Sequence, residues 1–127
     1  MKQGDCFFNK AVRDLPSHPW VVLSDPAIDP ENVLIVNLTD ADWHHDQSCV
    51  LEPSDYPAVV KKRSCVAYQF AKVTSLGFLK DAKRKGLLYL KPAVSPETLK
   101  KLLTGAKESD ELKNAHRELL REQFLIS

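Results

Sequence analysis

The segment after the third predicted strand concentrates side chains that can do chemistry. Residues 40–47 read Asp-Ala-Asp-Trp-His-His-Asp-Gln, and neutral imidazoles beside carboxylates are the ligand types of zinc and related metals. His44 and His45 lack the helical His-x-x-x-His spacing, so we expect no metal ion and no other cofactor. The same segment can instead bring His44 toward RNA, with Trp43 stacked on an unpaired base.

A compact basic run stands next to a predicted strand. It consists of Lys61, Lys62 and Arg63. Three adjacent cations can contact phosphates, and Tyr56 or Tyr68 offers an aromatic face for a base. The alternative is a solvent-exposed connection whose charges keep a strand edge from pairing. A second basic cluster falls on a predicted helix, where an exposed polar face is the favoured interpretation. That cluster consists of Lys80, Lys83, Arg84 and Lys85.

Length and charge limit the classes of protein that fit. The 127 residues are enough for a single domain over the whole chain, 1–127. The net charge is +1, with 18 Lys and Arg against 17 Asp and Glu, so any RNA contact needs a local basic patch. No apolar run approaches the roughly 20 residues of a membrane helix. We therefore expect a soluble cytoplasmic protein.

The cysteines argue against a disulfide framework. Cys6, Cys49 and Cys65 are odd in number and widely spaced, without a Cys-x-x-Cys pair. We expect each to be reduced and packed as a small apolar side chain.

Short β-branched and aromatic runs between turn residues predict strands in the first half of the chain. The predicted strands span residues 5–12, 20–24, 33–38, 48–52 and 64–73. Turn residues at 25–32 join the second and third strands as a hairpin. We expect Ser24 and Thr39 to reach the surface where these two strands end.

Apolar residues recur at helical spacing after Thr74. Thr74 or Ser75 can cap a helix over about residues 75–85, and Gly86 suits its left-handed C-terminal position. One more strand follows at 87–90. Helices over about 96–106 and 110–124 complete the chain. The first of these starts at Ser95-Pro96, and the second carries an apolar stripe of Leu112, Ala115, Leu119 and Leu120.

Several short motifs follow one another in a set order. They are Gly4-Asp5, His18-Pro-x-Val-Val-Leu-Ser24, the strand ending at Thr39, Cys49-Val-Leu51, Ser64-x-Val-x-Tyr68 and Ser95-Pro-Glu-x-Leu99. Over about residues 4–106 this order resembles the MazF/PemK toxin family. Residues 107–127 lie beyond the resemblance.

The resemblance implies both a fold and an activity. The implied fold is mostly β with short α-helices (α+β), an SH3-like closed β-barrel of the MazF/PemK/CcdB type. The barrel would span about residues 4–94, with one inserted helix and added C-terminal helices. The implied activity is that of a toxin in a type II toxin–antitoxin system. Such a toxin is a homodimeric, metal-independent endoribonuclease that cleaves single-stranded RNA by attack of the RNA's own 2′-hydroxyl, and an antitoxin protein neutralises it.

The chain departs from the family at one position of the implied active site. The family usually has Arg before the Pro that precedes Val-Val, where this chain has His18, whereas Thr39 matches the family's hydroxyl residue. We expect His18 to transfer a proton and Thr39 to donate a hydrogen bond to a phosphoryl oxygen. The residues expected to contact RNA are Arg13, Trp43, His44, Lys61, Lys62 and Arg63.

Other interpretations stay open. His18 can be a loop residue that caps a strand, and Thr39 a strand-end hydroxyl bonded to backbone. The lost Arg also fits a catalytically inactive barrel that binds RNA or a protein. A metal-dependent hydrolase centred on His44 and His45 is a third alternative.

Overall fold

The computed structural model describes residues 1–127, apart from the side chain of Trp43. Seven strands occur, with three α-helices in the last part of the chain. The strands are β1 (Cys6–Asn9), β2 (Pro19–Val22), β3 (Asn32–Asp40), β4 (Val50–Leu51), β5 (Ser64–Val66), β6 (Lys72–Ser75) and β7 (Leu88–Lys91). The helices are α1 (Leu76–Arg84), α2 (Pro96–Glu108) and α3 (Asn114–Glu122), and short 3-10 helices span Ala41–Trp43 and Tyr68–Phe70.

The strands form one antiparallel sheet around β3. The order is β4-β5-β3-β2-β1-β7, and β6 pairs with β3 as well. This is possible because β3 is nine residues long: its first half pairs with β6 and its second half with β5. The α+β class is therefore confirmed. The order has free ends at β4 and β7, and the sheet is not closed into a barrel within the described residues.

Apolar side chains cover both faces of the sheet, which explains the nearly continuous apolar run of β3. Val33 and Ile35 lie in a core with Leu76, Leu79 and Ala82 of α1. The alternate residues face a second core, which takes in residues of α2 and α3. They are Leu34, Val36 and Leu38 on β3, with Leu102 and Ala106 on α2 and Leu120 on α3.

The predicted helix starts are confirmed for α1 and α2. The Ser75 hydroxyl accepts a hydrogen bond from the Phe78 N–H at 3.2 Å, and the Ser95 hydroxyl accepts one from the Thr98 N–H at 3.1 Å. Gly86 takes the left-handed backbone conformation after α1, with φ of 75°. None of the described helices has the length and apolar character that a membrane span requires.

Three local predictions are wrong. The predicted strand 64–73 is interrupted by the 3-10 helix Tyr68–Phe70. Ser24 is buried rather than exposed, because its hydroxyl accepts a hydrogen bond from the Leu34 N–H at 2.8 Å. The last helix begins at Asn114 instead of residue 110, which leaves Ala115 exposed and outside the predicted apolar stripe.

Candidate functional site

The start of β2 and the end of β3 bring the two predicted catalytic side chains to one cleft. The pairing of β2 with β3 sets Trp20 opposite Asn37, and the same antiparallel register continued by two residues sets His18 opposite Thr39. Both residues are half-buried. The cleft has a volume of about 290 Å³. It is lined by His18, Pro19, Leu38, Thr39, Asp40, Val59, Val60, Lys62 and Ser64.

An apolar floor and a polar rim make this cleft suited to a charged, partly apolar ligand. Leu38 and Val60 are buried, while an imidazole, two hydroxyls, an ammonium and a carboxylate border them. Larger hollows of about 490 and 580 Å³ lie elsewhere on the surface. Neither of them contains a histidine, so we place the candidate chemistry in the smaller cleft.

An ion pair occupies one side of the cleft. Lys62 Nζ lies 2.5 Å from Asp40 Oδ2. This contact lowers the pKa of Asp40, which also accepts a hydrogen bond from the Asp42 N–H, and it raises the pKa of Lys62. Lys62 is therefore a firmly charged cation at the cleft, but Asp40 neutralises it. A phosphate that enters must compete with the Asp40 carboxylate for this ammonium.

A hydrogen-bonded loop positions His18. The buried Asn9 accepts from the Val12 N–H at 2.7 Å and donates to the Leu15 carbonyl at 2.6 Å. The Trp20 indole N–H and the His18 N–H both donate to the Pro16 carbonyl, at 3.1 and 2.9 Å. These contacts end β1 early and hold the loop firmly. Asn9 is not among the predicted site residues, although a polar residue that ends an apolar strand is the signal for such a turn.

The rest of the basic run lies at the margin of the cleft. Lys61 Nζ donates to the Pro57 carbonyl at 2.8 Å, and Arg63 Nε lies 3.5 Å from Glu52 Oε1. Of this run only Lys62 lines the cleft. Arg13 is exposed in the loop before β2 and is not among the lining residues.

The two tyrosines considered as stacking faces for RNA bases are buried, so that prediction is wrong. Tyr56 and Tyr68 are 3% and 1% exposed. The Tyr56 hydroxyl donates to the Pro92 carbonyl, and the Tyr68 hydroxyl donates to the Leu102 carbonyl at 2.6 Å. Both rings belong to the core that α2 covers.

The His44–His45 segment is bound to the C-terminal part of the chain. The two rings stack with centroids 4.9 Å apart, and His45 Nε2 lies 3.0 Å from Glu111 Oε1. His44 Nδ1 accepts from the Asp46 N–H at 3.1 Å. Among the described residues, no three His, Cys, Asp or Glu side chains are grouped to hold a metal ion. Neither histidine lines the cleft, and the side chain of Trp43 lies outside the described residues.

Asp46 joins this segment to the end of α2, because Ser109 is the residue that follows this helix. Asp46 is 6% exposed. Its carboxylate accepts from the Ser109 hydroxyl at 2.6 Å and from the Ser48 hydroxyl and N–H at 2.6 and 3.0 Å. Burial opposes ionisation, but the hydrogen bonds from Ser109 and Ser48 outweigh it and lower the pKa of Asp46. The segment is thus held in place by residues outside the family resemblance.

Asn37 is a second polar residue that the sequence analysis missed. It lies two positions before Thr39 on β3, so both side chains point to the same face of the sheet. Asn37 is 2% exposed, and among the described residues its Oδ1 has no hydrogen-bond partner. A polar residue inside the apolar run of β3 is the signal that marks it.

The cysteines are buried and free, as predicted. Burial raises the pKa of each of the three thiols to about 11. At neutral pH they are protonated, so none of them is suited to act as a nucleophile.

Comparison with known proteins supports the fold. No protein-family model matches the sequence, and a search of curated proteins found no match either. A solved structure described as an endoribonuclease in complex with its cognate antitoxin, from mycobacterial species, matches with a TM-score of 0.52. The match is 19% identical and covers 89% of this chain and 95% of that chain. The resemblance that the motifs indicate is confirmed at the level of the fold: this chain has the fold of a toxin–antitoxin endoribonuclease.

Proposed function

We propose that this chain is the toxin of a toxin–antitoxin pair and cleaves single-stranded RNA without a metal ion. The observation that carries the proposal is the cleft that joins His18, Thr39 and Lys62 on a fold like that of an endoribonuclease. We also propose that the open sheet is a variant of the SH3-like barrel of the MazF/PemK type. The matched endoribonuclease is described in complex with its antitoxin, which supports an antitoxin as the partner here. We also propose a homodimer that acts in the cytoplasm.

The reaction needs only the RNA, side chains of the cleft and solvent water. The 2′-oxygen attacks the adjacent phosphorus, a new P–O2′ bond forms, and the P–O5′ bond breaks. His18 takes the proton from the 2′-hydroxyl while solvent water gives one to the leaving 5′-oxygen, or His18 gives that second proton while water takes the first. The products are a 2′,3′-cyclic phosphate and a 5′-hydroxyl, so atoms and protons balance.

The charge that builds on the phosphorus centre requires hydrogen-bond donors and a cation. The Thr39 hydroxyl donates to a phosphoryl oxygen, and Lys62 supplies the positive charge that the family places on Arg. Lys62 first has to leave Asp40, from which it is 2.5 Å away. Asp40 therefore limits how much of this charge the phosphate receives.

The other predicted RNA contacts remain part of the proposal. Lys61 and Arg63 flank Lys62 and are exposed, so they can meet the backbone on either side of the reacting phosphate. Arg13 lies in the loop before His18. His44 and Trp43 would contact a base if the RNA extends from the cleft to the segment 40–47.

The test is cleavage of a long single-stranded RNA in excess chelator, followed by analysis of product ends. We expect 2′,3′-cyclic phosphate ends. His18→Ala should lower kcat by about 100-fold or more, and Thr39→Val by about 100-fold. His45→Ala is the matched control, because His45 is an exposed histidine outside the cleft. Varied RNAs left intact by the wild-type protein would refute the proposal, and so would cleavage that His18→Ala does not slow.

A non-catalytic RNA- or protein-binding module is the second candidate. The ion pair between Lys62 and Asp40 favours it, because it leaves the cleft without a free cation among its described lining residues. Tight RNA binding without cleavage, insensitive to Thr39→Val, would decide for this candidate.

A further inference from the structure

We propose a second RNA-binding surface on the edge of the sheet, next to the cleft, which holds the single strand that flanks the cut bond. We call it the basic platform. It is defined by two aromatic residues and five cations: Phe8, Tyr89, Lys10, Lys80, Lys83, Arg84 and Lys91. This inference rests on the proposed function for the identity of the RNA as a substrate. It adds a site that neither the cleft nor the basic run 61–63 provides.

Two adjoining hollows form the platform, and cations line both. One has a volume of about 580 Å³ and is lined by Phe8, Lys10, Lys83, Gly86, Leu88, Tyr89 and Leu90. The other, of about 420 Å³, is lined by Met1, Lys80, Lys83, Arg84 and Leu90. They share Lys83 and Leu90, so they are continuous. No Asp or Glu is among the described lining residues of either hollow.

The charge of this surface is available to a ligand. Of its cations, Arg84 pairs with Asp81, whereas Lys10, Lys80, Lys83 and Lys91 have no ion-pair partner among the described residues. Asp81 is the acidic residue beside them. When these five cations and Asp81 are set aside, 13 Lys and Arg remain against 16 Asp and Glu in the rest of the chain. A chain of net charge +1 thus concentrates its positive charge here, and a polyanion is attracted to this surface.

An exposed aromatic ring, Tyr89, and a half-buried one, Phe8, lie among these cations. The Phe8 and Tyr89 ring centroids are 5.6 Å apart at an angle of 35°, and Lys91 Nζ lies 5.2 Å from the Tyr89 centroid. Tyr89 is 45% exposed. Aromatic faces next to cations bind single strands, because unpaired bases stack on the rings while the cations meet phosphates. Paired bases cannot reach such a ring, so the platform favours a single strand over a duplex.

The register of the sheet connects the platform to the cleft. Tyr89 pairs with Phe8, and Phe8 pairs with Pro19. Pro19 in turn lines the cleft beside His18. Side chains alternate along a strand, so Pro19 shares the face of Phe8 and Tyr89. His18 and Thr39 point to the other face, and the RNA reaches them around the start of β2. Neighbouring strands are about 4.8 Å apart. Tyr89 is therefore about 10 Å from Pro19, within reach of nucleotides next to the reacting phosphate.

The experiment measures binding of a fluorescein-labelled short oligouridylate by anisotropy, in chelator, at several salt concentrations. Tyr89→Ala should weaken binding about tenfold or more. The double variant Lys10→Glu/Lys83→Glu should also weaken it and reduce the slope of log K against log salt by about 1.4, or about 0.7 for each lost phosphate contact. Phe70→Ala and Lys72→Glu/Lys113→Glu are the matched controls, since these residues are exposed and line neither hollow nor the cleft. The controls should stay within twofold of wild type.

Several outcomes would overturn the proposal. One is failure of the wild-type protein to bind the oligouridylate, and another is a Tyr89→Ala variant that binds it as tightly as wild type does. A duplex RNA that binds as tightly as the single strand would also refute the proposal. Loss of antitoxin binding by Tyr89→Ala without loss of RNA binding would identify the surface as a protein interface instead.

The two proposals fail separately. Tyr89-dependent RNA binding by a protein that cuts no RNA would refute the proposed nuclease but support the platform. RNA cleavage whose KM does not respond to Tyr89→Ala would do the reverse.

Discussion

Gly105 is the position where one added methyl group should disturb the fold most. It lies on α2, and a Cβ built there overlaps the Tyr68 hydroxyl and comes within 2.6 Å of Cys49 Cβ and 3.1 Å of the Ser48 carbonyl oxygen. Two of these neighbours are backbone or nearly backbone and cannot turn away. In Gly105→Ala, α2 would have to move away from the segment before β4, and the 2.6 Å hydrogen bond from Tyr68 to Leu102 would be lost.

The expected destabilisation follows from three effects. Overpacking costs about 1–3 kcal/mol, and the lost buried hydrogen bond costs about 1 kcal/mol. The better helix propensity of alanine offsets about 1 kcal/mol. Gly105→Ala should therefore lower the free energy of unfolding by about 1–3 kcal/mol. For a chain of 127 residues that corresponds to a fall in Tm of about 4–12 °C.

Urea and thermal unfolding measure this effect, with Gly77→Ala as the matched control. A Cβ at Gly77 meets only the Ser75 hydroxyl, at 3.5 Å, among the described residues. The same substitution there should be neutral or should stabilise α1 by up to about 1 kcal/mol. If Gly105→Ala unfolds at the same urea concentration as wild type, α2 does not pack against the segment 48–49 as closely as we infer.

Two further predictions concern carboxylates. Asp46→Ala should lower the free energy of unfolding by about 3 kcal/mol, because the hydrogen bonds of the buried carboxylate to Ser48 and Ser109 are lost. The control Asp42→Ala, at an exposed position of the same segment, should change this free energy little. Since these bonds lower the pKa of Asp46, its contribution should be complete above about pH 4 and lost as the pH falls through the lowered value. Urea titrations from pH 7 downward should show the difference between variant and wild type begin to narrow only below about pH 4. Asp40→Asn should tighten RNA binding and steepen its salt dependence, because it frees the Lys62 ammonium; anisotropy that shows no change would contradict the importance of this ion pair.

Elements with strong local signals could be predicted from the sequence. Ser75 and Ser95 cap their helices where hydroxyl, proline and apolar spacing indicate, and β3 spans the apolar run that predicts it. These signals reside in a few neighbouring residues, so they do not depend on the rest of the chain. The break of the predicted strand 64–73 depends instead on a distant contact, that of Tyr68 with Leu102 of α2. No local sequence pattern predicts this break in the strand.

Local sequence likewise predicts some features of the candidate site and not others. The predicted meeting of His18 and Thr39 follows from a hairpin register, which turn residues and apolar alternation largely determine. The charge state of the cleft does not follow from local pattern, because Lys62 lies in the loop before β5 and its partner Asp40 is the last residue of β3. The same holds for the basic cluster on α1, for which local pattern predicts only an ordinary exposed polar face. Its significance depends on Phe8 and Tyr89, which come from two other strands.

In the function we propose, cations without ion-pair partners determine the affinity for RNA, whereas His18 and Thr39 carry out the reaction. At the cleft Lys62 is paired with Asp40, so we expect other cations to supply most of the attraction for the RNA backbone. The basic platform carries cations without such partners and lies about two strands away. Substitutions on the platform should therefore raise KM and reduce salt dependence, whereas substitutions of His18 or Thr39 should lower kcat. A variant of Tyr89 that lowered kcat at saturating RNA while leaving KM unchanged would show that the two surfaces do not divide the work in this way.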